Sequence, residues 1–226
     1  MQKIAIIPAR GGSKRIHNKN IKPFHGIPII CRTISMIIDT NCFDQIIIST
    51  DSDEVKRHVL KIRGCEIHNR ASFLSDDYTG TQAVLKNACE EMAFNDNDLI
   101  CCIYPTAIFL TAEILSDSLR KHIAANCPFT FAVKEYAHPI NRSFSCVNQR
   151  VNIRDRTAVL NRTQDLKKQF HDAGYFYWGC CKYWKEMYPI IYNGNQTYIL
   201  KKNQAIDIDD QDDWDFAESM WTAIHE

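Results

Sequence analysis

The chain has 226 residues, long enough for one sizeable α/β domain with a small appendage and short for two. Lys plus Arg and Asp plus Glu both number 27, which argues against a general affinity for nucleic acid or acidic membranes. No apolar run approaches the roughly 20 residues of a membrane span, and the opening apolar stretch is too short for a secretory signal, so a soluble cytoplasmic protein is expected.

The first element is a strand at residues 4–8, where Ile4, Ala5, Ile6 and Ile7 stop at Pro8. A glycine-rich, cationic loop follows, carrying Arg10, Gly11, Gly12, Lys14, Arg15, Lys19 and, just beyond, Lys22. Residues 28–39 read as a helix with Pro28 near its first turn, and 45–49 (QIIIS) as a second strand leading into acids that suit a helix start. Residues 54–63 carry Val55, Val59, Leu60 and Ile62 at amphipathic spacing, with Gly64 placed as a C-cap. Residues 81–93 predict another helix, 98–104 (DLICCIY) a buried strand, 111–125 a helix and 129–133 a strand. Strands alternating with helices of this length predict a three-layer α/β/α sandwich around a mostly parallel, Rossmann-like sheet. Residues 134–170 break the pattern, being polar and basic and too long for an ordinary loop. They read as an insertion, a lid or a dimerisation arm, within a single domain spanning 1–226. Regular structure resumes at 174–178, with a short helix near 182–187, a strand around 198–201 and a last helix over 212–224.

Three constellations carry chemistry. A buried strand ending in a glycine-rich cationic loop presents backbone N–H groups and positive charge to a polyphosphate. The loop is neither a Walker motif nor GxGxxG. In its favoured reading Gly11 and Gly12 let the main chain approach phosphates while Arg10 and Lys19 neutralise them; the bland alternative is a solvated basic turn. In the second constellation, AIDIDD, Asp207 and Asp209 alternate with isoleucines and face one side of an extended chain. Two such carboxylates suit Mg²⁺, which completes its shell with water and phosphate oxygens, although acids here also suit the start of the helix that follows. The third is DAGYFYW, where Phe176 and Trp178 suit core packing and Tyr175 and Tyr177 fall on the opposite face, placed to line a sugar pocket. The ten cysteines show no CxxC and read as reduced thiols buried as small hydrophobes. The histidines have no ligand spacing.

The run IIPARGGSKRIHNKNIKPFHGIPII resembles the opening of the bacterial acylneuraminate cytidylyltransferases, which join nine-carbon acidic sugars to CMP. ISTDSDEV, RASFLSDD, YPTAIFL and IDIDDQDDW follow in the expected order, so the resemblance covers nearly the whole chain. CCIYPTAIFLT and DAGYFYWG are most similar to the pseudaminic acid branch, which has Tyr, here Tyr104, where the family has the Gln of QPTSPLR. The resemblance implies the nucleotide-diphospho-sugar transferase type of fold, and a homodimer in which the 134–170 arm reaches over the neighbouring active site. Ala9, Arg10, Gly11, Gly12, Ser13 and Lys19 would then surround the CTP phosphates, with Arg70, Ser75 and Asp76 flanking the nucleotide. Tyr104, Thr106, Asp172, Tyr175 and Tyr177 would meet the sugar, and Asp207 and Asp209 would hold Mg²⁺. Departures from the pattern fall at Leu110, in place of the arginine that ends QPTSPLR, at Ile108, in place of its second proline, and at His17-Asn18, in place of Pro-Arg. The first leaves the sugar carboxylate in need of another cation, and the last is expected to loosen the loop and shift phosphate charge onto Lys19.

The reaction implied is attack of the anomeric hydroxyl on the α-phosphorus of CTP, in line with departing pyrophosphate, which needs positioning and charge neutralisation more than a covalent nucleophile. Arg10, Lys19 and Asp209 are the expected catalytic residues, and no general base stands out. Two other functions compete: a metal-dependent glycosyltransferase of similar fold, and an inactive nucleotide-binding scaffold. Within the family, sialic and legionaminic acid are the alternative substrates.

Overall fold

The computed structural model describes residues 1–225. A central sheet of seven strands runs in the order β11-β7-β10-β6-β1-β4-β5. In chain order these strands are β1 (Lys3–Pro8), β4 (Gln45–Thr50), β5 (Glu66–Asn69), β6 (Leu99–Ile103), β7 (Phe129–Glu135), β10 (Phe170–Cys180) and β11 (Gln196–Leu200). The hairpin β2 (Pro23–Phe24) with β3 (Ile27–Pro28) and the hairpin β8 (Phe144–Val147) with β9 (Arg150–Ile153) stand apart. The helices are α1 (Ile29–Asp39), α2 (Asp53–Val59), α3 (Thr81–Glu91), α4 (Ala112–Ala125), α5 (Arg156–Leu160), α6 (Cys181–Lys185) and α7 (Gln211–His225).

Strand β1 pairs in parallel with β4 on one side and β6 on the other, and only β10 runs against its neighbours. Because successive strand residues point to opposite faces, the apolar runs divide between two cores. Ala5, Ile7, Ile46, Ile48, Cys101 and Ile103 pack with α1, α2, α4 and α7, whereas Ile4, Ile6, Ile47, Ile100 and Cys102 pack with α3 and α6. Both faces are covered, which is why these strands are continuously apolar. The expected three-layer α/β sandwich is the fold.

Several details differ from the sequence reading. Helix α2 stops at Val59, with Leu60 as its cap, so Gly64 does not terminate it; Gly64 turns the chain at φ 91° ahead of β5, a short strand that the polar EIHN sequence conceals. Strand β10 is eleven residues long rather than five and is antiparallel. Its pairing with β7 shifts register between Asp172 and Tyr177, where Gly174 takes φ 63°. Residues 136–169 contain the exposed β8–β9 hairpin and α5. Asn18 adopts φ 51°, a left-handed conformation that asparagine tolerates, and its carbonyl accepts from the amides of Ile21 and Lys22. The His17-Asn18 change therefore suits the turn rather than loosening it. All ten cysteines are free thiols; Cys42, Cys89, Cys101, Cys102 and Cys181 are buried, while Cys146 on the hairpin is exposed.

Candidate active site

The chain leaves β1 for β4 and β5 on one side and later places β6 on the other, so a crevice opens beyond the carboxyl ends of β1 and β6. Open α/β sheets bind ligands at such a switch point. Here it holds a cavity of about 370 Å³ lined by Arg10, Ser13, Lys19, Arg70, Thr106, Asp207 and Asp209, with Asp76 and Tyr104 at its sides. Segments distant in sequence thus meet as the two halves of one site.

The loop cations are held by acids. Arg10 Nη1 lies 3.0 Å from Asp77 Oδ1 and also donates to the Asp76 carbonyl, and Lys14 Nζ lies 2.5 Å from Asp77 Oδ2. Arg15 Nη2 is 2.9 Å from Asp209 Oδ1, and Lys19 Nζ is 3.7 Å from the same oxygen. The pairs of Arg10, Lys14 and Arg15 are solvent-accessible, weak and screened by salt, so they hold the cations in place while an incoming anion can displace their partners. Lys19 is mostly buried, and desolvation lowers its pKa, opposed chiefly by Asp209. Arg70 is 7% exposed; burial lowers its pKa to about 10, so it remains charged at neutral pH.

The carboxylate segment is built without a strand ladder. Side chains from three elements hold its backbone instead: Lys134 Nζ donates to the Ala205 carbonyl at 2.8 Å, the Ile206 amide donates to the Tyr175 hydroxyl at 2.8 Å, and Lys19 Nζ donates to the Ile208 carbonyl at 2.5 Å. Ile206 and Ile208 are buried, which turns Asp207 and Asp209 into the cavity as alternation requires. Asp207 keeps contact with solvent, yet desolvation at the cleft wall, followed by repulsion from Asp209, raises its pKa. Two mutually repelling carboxylates in a cleft rich in cations form an oxygen donor set that fits a hard divalent cation. Among the described residues no group of three or more His, Cys, Asp or Glu side chains could hold a metal alone, which leaves the remaining positions of such an ion to phosphate and water.

Tyr175 is a correction. The register shift at Gly174 places it with Phe176 and Trp178 in the core, fully buried, rather than beside Tyr177 on an open face. It supports Ile206 from beneath and does not line the cavity.

Tyr177 and Asp172 lie in an adjoining cavity of about 440 Å³, together with Gln82, Met187, Ile190 and Ile191. The Tyr177 hydroxyl donates to the Asp172 carboxylate, 2.8 Å from each oxygen, and burial raises its pKa so that it stays protonated. Tyr104 and Thr81 line both cavities, their hydroxyls 2.7 Å apart, and form the passage between them. Gly11, Gly12 and Ser75 line neither; they border a third cavity, of about 540 Å³, next to Asp51. The Gly11 amide donates to Asp51 Oδ1 at 2.9 Å. Ala9 is fully buried, its amide bonded to the Ser49 carbonyl. Leu110 and Ile108 are core residues and supply nothing to the site.

Sequence reasoning did not assign Thr81, Lys134 or Arg15 to the site. Arg15 had a signal, its place in the loop. Thr81 and Lys134 had none, because their roles depend on how α3 and β7 abut the crevice.

A family model described as cytidylyltransferase matches residues 4–214. The chain is 38% identical over its full length to a pseudaminic acid cytidylyltransferase of Campylobacter jejuni, covering 99% of that protein. It is 32% identical to a bifunctional Helicobacter pylori protein named as a pseudaminic acid cytidylyltransferase and a UDP-sugar hydrolase, over 92% of this chain and 40% of that one. An N-acylneuraminate cytidylyltransferase of Danio rerio is 28% identical over 95% of this chain and 49% of its own length. Among solved structures, a CMP:2-keto-3-deoxy-manno-octonic acid synthetase complexed with CTP superposes with a TM-score of 0.71 at 12% identity, covering 99% of this chain and all of that one. A 4-diphosphocytidyl-2C-methyl-D-erythritol synthase gives 0.66 at 8% identity, over 97% of this chain and 99% of that one.

Proposed function

The chain belongs to the cytidylyltransferase family, and from that premise we propose that it transfers CMP from CTP to a nine-carbon acidic sugar, pseudaminic acid, releasing pyrophosphate. The observation that carries this reading is the joined pair of cavities. One is lined by cations and two carboxylates, as a metal triphosphate requires; the other is walled by apolar side chains and the Asp172–Tyr177 pair, as a sugar with hydroxyl and acylamino groups requires.

Arg10, Lys19 and Arg70 bind the triphosphate and neutralise the charge that grows on the transferred phosphoryl group and on pyrophosphate. Thr81 and Tyr104 stand where the two cavities meet, so the sugar's anomeric hydroxyl can reach the α-phosphorus from the sugar side. Asp172, bonded to Tyr177 and to the Gly174 amide, keeps acceptor capacity for a sugar hydroxyl. Asp207 and Asp209 hold Mg²⁺, which when bound supplies charge neutralisation and acidifies a nearby hydroxyl. No side chain in the cleft is assigned as general base.

The exposed hairpin carries Phe144, Val147, Val151 and Ile153 outward, an apolar surface suited to a second copy of the chain. We assign the active species as a homodimer on that ground and, because its reaction consumes CTP, place it in the cytoplasm. No helix among the described residues is long and apolar enough to cross a membrane.

Incubating the protein with CTP, Mg²⁺ and in turn pseudaminic, legionaminic and sialic acid tests the assignment. Pyrophosphate should form fastest with pseudaminic acid; preference for either of the others would reassign the substrate, and none with any acid would reject the activity.

A further inference from the structure

A line of polar groups leads from the protein surface to the triphosphate cavity, and the reaction outlined above uses only its inner end, Arg70. Its outer end is Glu91, the last residue of α3, with its side chain half exposed. Glu91 Oε2 lies 3.0 Å from Nε2 of His68, a histidine 2% exposed on β5. His68 Nδ1 lies 3.0 Å from Oγ of Ser49, which is its register partner on β4 and is fully buried. Ser49 holds Arg70 twice, its Oγ accepting from Nε at 3.2 Å and its carbonyl from Nη2 at 2.7 Å. The guanidinium then reaches the cavity wall, and Nη1 has no hydrogen-bond partner among the described residues.

The polarity of this line follows from what each group can do. A carboxylate only accepts, so His68 Nε2 carries the proton. In the neutral ring Nδ1 then accepts, and the Ser49 hydroxyl must donate to it. That turns the lone pairs of Oγ toward Arg70 Nε–H. From Glu91 to Arg70 Nε, every donor and acceptor along the line is satisfied in this arrangement alone. A proton on Nδ1 would leave the Ser49 hydroxyl hydrogen without an acceptor in the core, which a buried hydroxyl tolerates poorly.

We infer that His68 and Ser49 are positioning residues for Arg70, with Glu91 fixing the histidine tautomer so that the buried guanidinium is held with one free edge toward the nucleotide. Desolvation of that guanidinium is unfavourable unless its N–H groups are matched, and the Ser49 hydroxyl and carbonyl match two of them. The inference rests on the reading of the 370 Å³ cavity as the nucleotide's, and it extends that reading to three residues outside the cavity.

The test is calorimetric titration of the full chain with CTP and Mg²⁺, without sugar acid, on Ser49→Ala, His68→Leu, His68→Asn and Arg70→Ala, and on the first two combined with Arg70→Ala. Ser49→Ala and His68→Leu should weaken CTP binding about 3- to 10-fold and, in separate steady-state turnover with the sugar acid present, raise KM for CTP with KM for the sugar acid unchanged. His68→Asn, whose Oδ1 replaces Nδ1 as acceptor, should recover most of the loss. In the Arg70→Ala background neither substitution should weaken binding further, whereas a general structural defect would persist there. Parental CTP affinity in Ser49→Ala and His68→Leu, alongside weak binding by Arg70→Ala, overturns the relay but not the site. Parental affinity in Arg70→Ala overturns the role of Arg70, and the relay with it. Nitrogen-15 NMR of the parent near pH 8 needs no variant: His68 should show a protonated Nε2 and a bare Nδ1, and a proton on Nδ1 contradicts the inference.

Discussion

Asp207 and Asp209 repel each other from the same wall of the cleft, and that repulsion is the cost of the metal site proposed for them. Desolvation and Asp209 raise the Asp207 pKa in the folded protein. A raised carboxylate pKa means that the folded state binds the proton more tightly than the unfolded chain, so stability falls as pH rises between the two values and stays lower above the folded one. Asp207→Asn should therefore melt higher than the parent at pH 7 in the absence of metal, and the gap should close as the pH falls below the unfolded carboxylate's value; thermal melts across that range check it. Activity moves the other way. Asp209→Asn should lower kcat at least about 10²-fold with an unchanged circular dichroism spectrum, and a fully active variant would remove the metal assignment. Tyr175→Phe takes away the hydroxyl beneath Ile206 while leaving the ring in the core. It should weaken Mn²⁺ binding, read by electron paramagnetic resonance, more than it lowers the melting temperature. Much of the site was legible at this scale, because charge density in the opening loop and alternation in IDID are local signals. Tyr175 was not. Its side of the sheet is decided by the left-handed Gly174 beside it, and the Ile206 it supports lies 31 residues further along the chain.

Strand β10 is the element on which the site's geometry turns. It runs antiparallel between β6 and β7, so its amino end, with Asp172, arrives at the same edge of the sheet as the carboxyl ends of the parallel strands. Two glycines make this possible. Gly174 holds φ 63°, and a Cβ there would lie 3.4 Å from Asp207 Oδ1. At Gly179 a Cβ would come within 2.5 Å of the Phe129 ring and 3.1 Å of the Pro128 carbonyl. Gly179→Ala should cost about 1–3 kcal/mol, measured as a lower denaturant midpoint. Gly174→Ala should cost about 1–2 kcal/mol through its left-handed backbone and also weaken metal binding, because the new methyl faces Asp207. Most elements could be read from the sequence because period and punctuation agree in them: α1, α4 and α7 from their apolar spacing, and β1, β4 and β6 from unbroken apolar runs. Strand β5 escaped because it is short and polar. The direction of β10 escaped because strand order is set by long-range pairing, which no local pattern encodes.

At the scale of the whole molecule, a neutral chain gathers cations and carboxylates around one crevice and exposes four apolar side chains on a hairpin outside the main sheet. The hairpin's role is open to a direct test: Phe144→Glu combined with Val151→Glu should shift the protein from dimer to monomer in sedimentation equilibrium without unfolding it. A monomeric parent would refute the assignment. On the proposed function, the crevice joins the α-phosphorus of CTP to a sugar acid with the help of a divalent cation. A single turnover with CTP labelled at the α-phosphorus, in the presence of pseudaminic acid and Mg²⁺, addresses it most directly. The label should appear in a CMP–sugar conjugate, with equimolar unlabelled pyrophosphate, and chelation of the metal should stop the transfer. Label remaining in CTP, label released as free CMP without a conjugate, or transfer indifferent to chelation would contradict the account.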